Sequence, residues 1–187
     1  MRIVSGNHKG KALSGPKSRA IRPTSDRTRE SLFNILSHGI EGLELEGARV
    51  LDLFAGTGAL GLEALSRGAR FCLFIEESAE ARALVRRNVE AMGATGASKI
   101  WRRDATRLGR SAPMARFDLI FADPPYGKGL GEEALASALE GGWLADGAIC
   151  VLEEEATAEI SPVAGFEKID GRTYGDTQII IFRKRGD

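Results

Sequence analysis

Residues 48 to 68 constrain the fold more than any other stretch of the chain. Val50, Leu51, Leu53 and Phe54 form a short apolar run of the kind a parallel strand buries on both faces. Gly56 and Gly58 break it, and Leu60, Leu62, Glu63, Ala64 and Leu65 continue at helical spacing until Gly68. Strand, glycine turn and helix are the opening unit of a nucleotide-cofactor fold. Glycines let the backbone approach a ligand, and the helix start offers free N–H groups beside it. Gly56, Gly58 and Gly61 spell G-x-G-x-x-G, by itself a weak dinucleotide signal.

Asp52, at the end of the strand, sharpens that signal. Its carboxylate opposes a pyrophosphate and favours a ligand with a positive amino-acid end, such as S-adenosylmethionine. The competing role is a cap for the turn through backbone N–H groups.

Further strands are expected at 71–76, 99–102, 117–122 and 148–152, with helices over 78–92 and 131–139 between them. Such alternation implies a parallel sheet covered on both faces. The ending departs from it: 166–173 and 177–183 flank Gly175-Asp176 and read as a β-hairpin. This places an antiparallel strand in the sheet, as in the methyltransferase version of the Rossmann fold. Upstream, Thr24 or Ser25 caps a helix carrying Leu32, Phe33, Ile35 and Leu36 that ends at Gly39. Arg2-Ile-Val and Lys11-Ala-Leu are candidates to pair as a small hairpin.

The chain has 187 residues, enough for one domain with a sizeable core, and a net charge of zero that conceals an asymmetry. Residues 1–38 hold eight Lys or Arg against Asp26 and Glu30, so a basic arm precedes a mildly acidic body. Arg27 and Arg29 are expected on the exposed first turns of the helix. A basic arm suits RNA or DNA, although a solvated charge run is the plain alternative. Cys72 and Cys150 lie in apolar runs and read as reduced core residues. His8 and His38 show no metal-ligand or triad spacing, so no metal is expected. No apolar run approaches the roughly 20 residues that span a bilayer. A soluble, cytoplasmic protein is therefore expected, with a monomer as the default.

Ligands of doubly wound sheets bind beyond the carboxyl ends of the strands. Asp52, Glu76, Asp104 and Asp123 all fall at such ends. Glu76 is placed to take ribose hydroxyls, with Glu77 as its competitor. Asp104 can accept from an adenine amine beside the Ala105 N–H, or simply cap a helix. Phe54, Gly56 and Gly58 complete the expected cofactor set.

Asp123-Pro124-Pro125-Tyr126 is the most specific signal. Two prolines fix φ and remove two donors, leaving a rigid turn with outward carbonyls. The Asp123 carboxylate and the Pro124 carbonyl can accept the hydrogens of an exocyclic base amine. Tyr126 offers a stacking face worth about 1–3 kcal/mol per base.

With residues 21–36, 51–67, 123–126 and Tyr174-Gly-Asp-Thr177 in hand, the chain resembles the RsmD family, bacterial enzymes that methylate N2 of a guanine in small-subunit ribosomal RNA. The resemblance covers essentially the whole chain. It implies a Rossmann-like class I S-adenosylmethionine-dependent methyltransferase. Its sheet would have seven mostly parallel strands and a C-terminal antiparallel hairpin, with a small basic N-terminal extension over 1–23 and the methyltransferase domain over 24–187. It implies S-adenosylmethionine at Asp52, Gly56, Gly58, Glu76 and Asp104, and guanine at Asp123 to Tyr126. It also gives Arg22, Thr24, Arg27, Arg29 and Glu30 a part in the active-site rim or RNA contact. Ser78 stands where the family usually has an acidic or amide residue. The implied partner is 16S ribosomal RNA within a partly assembled small subunit. Three rival readings remain: a DNA amino-methyltransferase, an NAD-dependent oxidoreductase and a non-catalytic RNA-binding assembly factor.

Overall fold

A computed structural model of the chain describes residues 1–17 and 24–186. Helix α1 (Asp26–His38) starts at Ser25, whose hydroxyl accepts from the Thr28 N–H, and ends at Gly39. The core then alternates: β1 (Arg49–Leu53), α2 (Ala59–Ser66), β2 (Phe71–Ile75), α3 (Ala79–Ala91), β3 (Ser98–Trp101), β4 (Phe117–Ala122), α4 (Leu130–Glu140) and β5 (Leu144–Glu155). The chain closes with the hairpin β6 (Phe166–Tyr174) and β7 (Thr177–Lys184).

All seven strands form one sheet in the order β3-β2-β1-β4-β5-β7-β6. The first five run parallel, and β7 enters antiparallel between β5 and β6. Strand order reverses between β1 and β4, the switch point where such folds open a crevice. One apolar cluster joins Phe33, Leu62 and Val85 to the strands on one face, and a second gathers Phe117, Leu135 and Trp143 on the other. Cys72 and Cys150 are buried free thiols. No helix among the described residues is long and apolar enough to cross a membrane.

Two features depart from the sequence expectation. Strand β5 runs three residues past its apolar stretch, through Glu153, Glu154 and Glu155, which pair with Ile179, Gln178 and Thr177 of β7. Apolar patterning could not show this, because the added residues are carboxylates whose backbone is held by a neighbouring strand.

The second departure is the N-terminal segment, expected as an extension. Residues 1–17 instead pack on the body, with Ile3 and Leu13 buried in the core. The expected hairpin is present as a short one: an antiparallel bridge joins Arg2 to Ala12, with the Ile3 N–H donating to the Lys11 carbonyl and the Leu13 N–H to the Met1 carbonyl, each at 2.9 Å. Glu63 of α2 accepts the Val4 and Ser5 N–H groups at 2.8 and 3.0 Å, and Asn88 of α3 brackets Ser14 from both sides. The boundary expected at 23/24 falls at the edge of the described residues.

Candidate active site

The glycine turn after β1 is shaped by backbone conformations that few residues tolerate. Gly56 has φ 61° and Gly58 φ 82°. Phe54 has φ 55°, a left-handed conformation that costs free energy for a residue with a side chain and clusters at functional sites. Gly61 serves a different end. A Cβ there would lie 2.6 Å from both the Cys72 sulfur and the Phe74 ring, so glycine lets α2 sit directly against β2.

Beyond these strand ends lies a cavity of about 640 Å³, the size of a typical small-molecule site. Asp52, Phe54, Gly56, Glu76, Asp104 and the 123–126 turn line it, together with Thr24. Three cofactor candidates are held by backbone N–H groups. Asp52, 1% exposed, accepts from the Gly61 N–H at 3.1 Å. Burial pushes its carboxyl well above the usual range, the Gly61 bond opposes this, and the Glu76 charge adds to it. The competing cap role is therefore realised, while the group still reaches the cavity wall.

Glu76 accepts from the Gly56 N–H at 2.9 Å and, through its other oxygen, from the Ser78 N–H at 3.0 Å. Each oxygen retains a lone pair, the acceptor set that two vicinal hydroxyls need. Ser78 itself caps α3, its hydroxyl accepting from the Ala81 N–H. Asp104 caps a short 3-10 turn, where the Thr106 hydroxyl and N–H hold its carboxyl below the usual range. Glu77 also borders the cavity.

Two expected cofactor residues stand back from it. Gly58 faces the core, where a Cβ would meet Val85 and Phe74 within 3.4 Å. Ala105 is 3% exposed and packs in the second apolar cluster.

The other wall is the 123–126 turn. Pro124 is buried and Pro125 exposed. The Tyr126 hydroxyl donates to Glu153 Oε1 at 2.7 Å and lies 3.0 Å from Thr177 Oγ1. Burial pushes the phenol far above its usual range. Gly127 N–H donates to Glu154 Oε1 at 2.9 Å. Thr24 Oγ1 lies 3.3 Å from Asp123 Oδ2 and 2.9 Å from Glu153 Oε2. Desolvation, then the charges of Glu153 and Asp52, push the Asp123 carboxyl well above the usual range.

Patterning had passed over Glu153 and Glu154, because they lie beyond the apolar run of β5. The only signal for Thr177 was its place in Tyr174-Gly-Asp-Thr177.

Arg29 corrects an expectation. It was placed on exposed turns for RNA contact, yet it is 0% exposed. Its guanidinium pairs with Asp26 at 2.7 Å and Glu63 at 3.3 Å, and donates to the carbonyls of Thr24 and Arg2. The reason lies in helical spacing: positions 29, 32, 33 and 36 share one face, and that face is buried. Arg27 and Glu30 are exposed and stand off the cavity wall. Arg22 lies outside the described residues.

The carboxylates at the mouth and floor disfavour a phosphate-rich ligand there and suit a cationic one. Acceptors for two hydroxyls at Glu76, a buried carboxyl at Asp52 and the Gly56 backbone fit the ribose and charged end of S-adenosylmethionine.

Comparison with known proteins agrees with this geometry. A family model described as Conserved hypothetical protein 95 matches residues 1–183. Ribosomal RNA small subunit methyltransferase D of Escherichia coli strain K12 is 37% identical over 155 residues, covering 83% of this chain and 75% of that protein. The protein of the same name from Haemophilus influenzae is 34% identical over 177 residues, 94% of this chain and 89% of the other. The solved structure of Escherichia coli yhhF superposes with a TM-score of 0.84 at 31% identity, over all of this chain and 99% of that one. TrmN from Thermus thermophilus, at 24% identity and TM-score 0.64 over 83% of this chain and 48% of its own, shares the fold. The seven-stranded sheet is that of class I methyltransferases, and the chain belongs to the Conserved hypothetical protein 95 family, the RsmD family that includes ribosomal RNA small subunit methyltransferase D.

Proposed function

We propose that this protein methylates ribosomal RNA, transferring a methyl group from S-adenosylmethionine to the exocyclic N2 amine of a guanine in 16S RNA of the small subunit. The observation that carries the reading is one shared cavity: the Asp123-Pro-Pro-Tyr turn forms one wall, and the Asp52, Gly56 and Glu76 set forms the other. Bound S-adenosylmethionine supplies an electrophilic methyl on a sulfonium. Glu76 would hold the ribose, Asp52 the amino-acid end, and Asp104 the adenine edge.

The base amine is a poor nucleophile because its lone pair is delocalised into the ring. Asp123 and the Pro124 carbonyl would accept its hydrogens and favour a more tetrahedral nitrogen aimed at the methyl. Tyr126 would stack on the base, its ring fixed by the bond from its hydroxyl to Glu153. Thr24, Pro125 and the exposed Arg27 would meet the RNA around the target, with Arg22 proposed for the same rim. Most of the acceleration would come from positioning. The names of the relatives support ribosomal RNA as substrate class, and the N2 atom rests on the family resemblance.

The test uses tritiated S-adenosylmethionine with small ribosomal subunits from cells lacking this gene, with naked RNA and plasmid DNA in parallel, then nucleoside digestion. Label in N2-methylguanosine from the subunits is the expected result. Label in DNA alone, or in another nucleoside, overturns the assignment.

A further inference from the structure

Among the described residues, one hydroxyl stands between two carboxyl groups on the Asp123 side of the cavity. It is Thr24 Oγ1, 2.9 Å from Glu153 Oε2 and 3.3 Å from Asp123 Oδ2. A threonine hydroxyl has a single hydrogen to donate. Glu153 also accepts the Tyr126 hydroxyl on its other oxygen, at 2.7 Å. With Thr24 donating over the shorter distance to Glu153, its contact with Asp123 becomes a full hydrogen bond of its own when Asp123 carries a proton and donates it. Glu153 is 8% exposed, so its charge is compensated by these bonds more than by solvent.

We infer that Glu153 and Asp123 share one proton through the Thr24 hydroxyl, and that Glu153 receives the proton the target amine sheds on methylation. The inference rests on the methyl-transfer function proposed above. The target nitrogen bonds to the methyl carbon as the carbon–sulfur bond breaks with its electron pair going to sulfur. The nitrogen is left cationic, with one proton to lose. That proton passes to Asp123 Oδ1, the proton on Oδ2 passes to Thr24, and the hydroxyl proton of Thr24 passes to Glu153. Over the whole reaction Glu153 goes from anion to neutral acid and the sulfonium from cation to neutral thioether, while the amine, Asp123 and Thr24 end with the charge they began with. Glu153 acts through Asp123 and Tyr126 and is a positioning residue that also holds this proton.

The surroundings agree. Glu153 and Glu154 of β5 and Asp52 of β1 all bring negative charge toward Asp123, and the Tyr126 phenol stands beside them. Like charges this close do not all ionise. Burial and these charges push the Asp123 carboxyl well upward, as a held proton requires.

The experiment compares wild type with Glu153→Gln, Thr24→Val and Thr24→Ser on small subunits lacking the modification. It reads kcat, KM, S-adenosylmethionine affinity and the infrared carbonyl stretch of protonated carboxyls near neutral pH. Glu153→Gln keeps an acceptor for Thr24 and Tyr126 but cannot take the proton. It should lower kcat about 10²-fold with KM and cofactor affinity held, while the protonated-carboxyl band of Asp123 stays in place. Thr24→Val should lower kcat similarly and shift or remove that band, whereas Thr24→Ser, which keeps the hydroxyl, should retain the band and recover most of the kcat lost in Thr24→Val. Should Glu153→Gln fail to fold, the Val and Ser pair decides alone. Unchanged kcat in Thr24→Val or in a folded Glu153→Gln, or an unchanged band in Thr24→Val, overturns the relay alone. Wild-type protein that labels no subunit overturns the function on which it rests, and the relay with it.

Discussion

The two walls of the cavity are built in different ways. On the cofactor wall, Asp52, Glu76 and Asp104 each sit at or just past a strand end and are held by backbone N–H groups, within nine residues at Gly61, Ser78 and Thr106 and across from the neighbouring loop at Gly56. On the turn wall, Asp123 and Tyr126 are held by side chains from distant segments: Thr24 from before α1, Glu153 from the end of β5, and Thr177 from the hairpin. A wall held by backbone N–H groups needs only the strand–loop–helix units of the adjacent strands β1 to β3. A wall held by side chains needs the N-terminal segment, the sheet centre and the terminal hairpin all in place. The terminal hairpin therefore has a stated task here: β7 holds the end of β5 and supplies Thr177 to Tyr126.

The contrast can be broken most sharply at Asp123. Asp123→Ala should reduce methyl transfer about 10³-fold while S-adenosylmethionine affinity stays near wild type by calorimetry. Loss of cofactor affinity instead would mean that the two walls are not separable. Next in size is the buried cluster that ties α1 and the N-terminal segment to α2. Arg29→Ala leaves Glu63 with less compensation and should cost about 3 kcal/mol. For a chain of this size that lowers the melting temperature by about 10 °C in calorimetric scans. An unshifted melting temperature would return Arg29 to the surface role first expected of it.

On the cofactor wall, Glu76→Gln keeps some hydrogen bonding but loses the anion. It should weaken S-adenosylmethionine about tenfold, or 1.4 kcal/mol, with kcat at saturating cofactor little changed. A fall in kcat with unaltered affinity would put Glu76 on the chemical side. The smallest effect belongs to Ser25, one residue past Thr24. Ser25→Ala removes the α1 cap and should cost about 1 kcal/mol. Activity at low temperature should be preserved, because the Thr24 hydroxyl is untouched.

Much of this was legible in the residues themselves. Apolar runs separated by glycine turns announce parallel strands and helices, because each signal depends on neighbours within a turn or two. The strand-end positions of Asp52, Glu76, Asp104 and Asp123 follow from the same local pattern, as does the rigid Pro124-Pro125 turn. Arg29 went the other way. A basic residue near a basic arm reads as exposed, and its burial is compensated by Asp26 one turn back together with Glu63 and the carbonyls of Thr24 and Arg2, of which only Asp26 lies within a helical turn of it. In the N-terminal segment the Lys and Arg residues set the overall character seen in the sequence, while two apolar side chains, Ile3 and Leu13, anchor it to the core.

By itself, then, the sequence determined the α/β alternation, the terminal hairpin, the glycine turn and the place of the Asp-Pro-Pro-Tyr turn at a strand end, since backbone conformation and short-range patterning dictate each of them. Only the tertiary structure decided that β5 continues into Glu153 and Glu154, that Thr24 bridges two carboxyl groups, and that Tyr126 meets Thr177. Those contacts join residues 27 to 129 positions apart. No local propensity encodes such pairings, because they exist only once the sheet has brought strand ends and the segment before α1 to one side of the cavity.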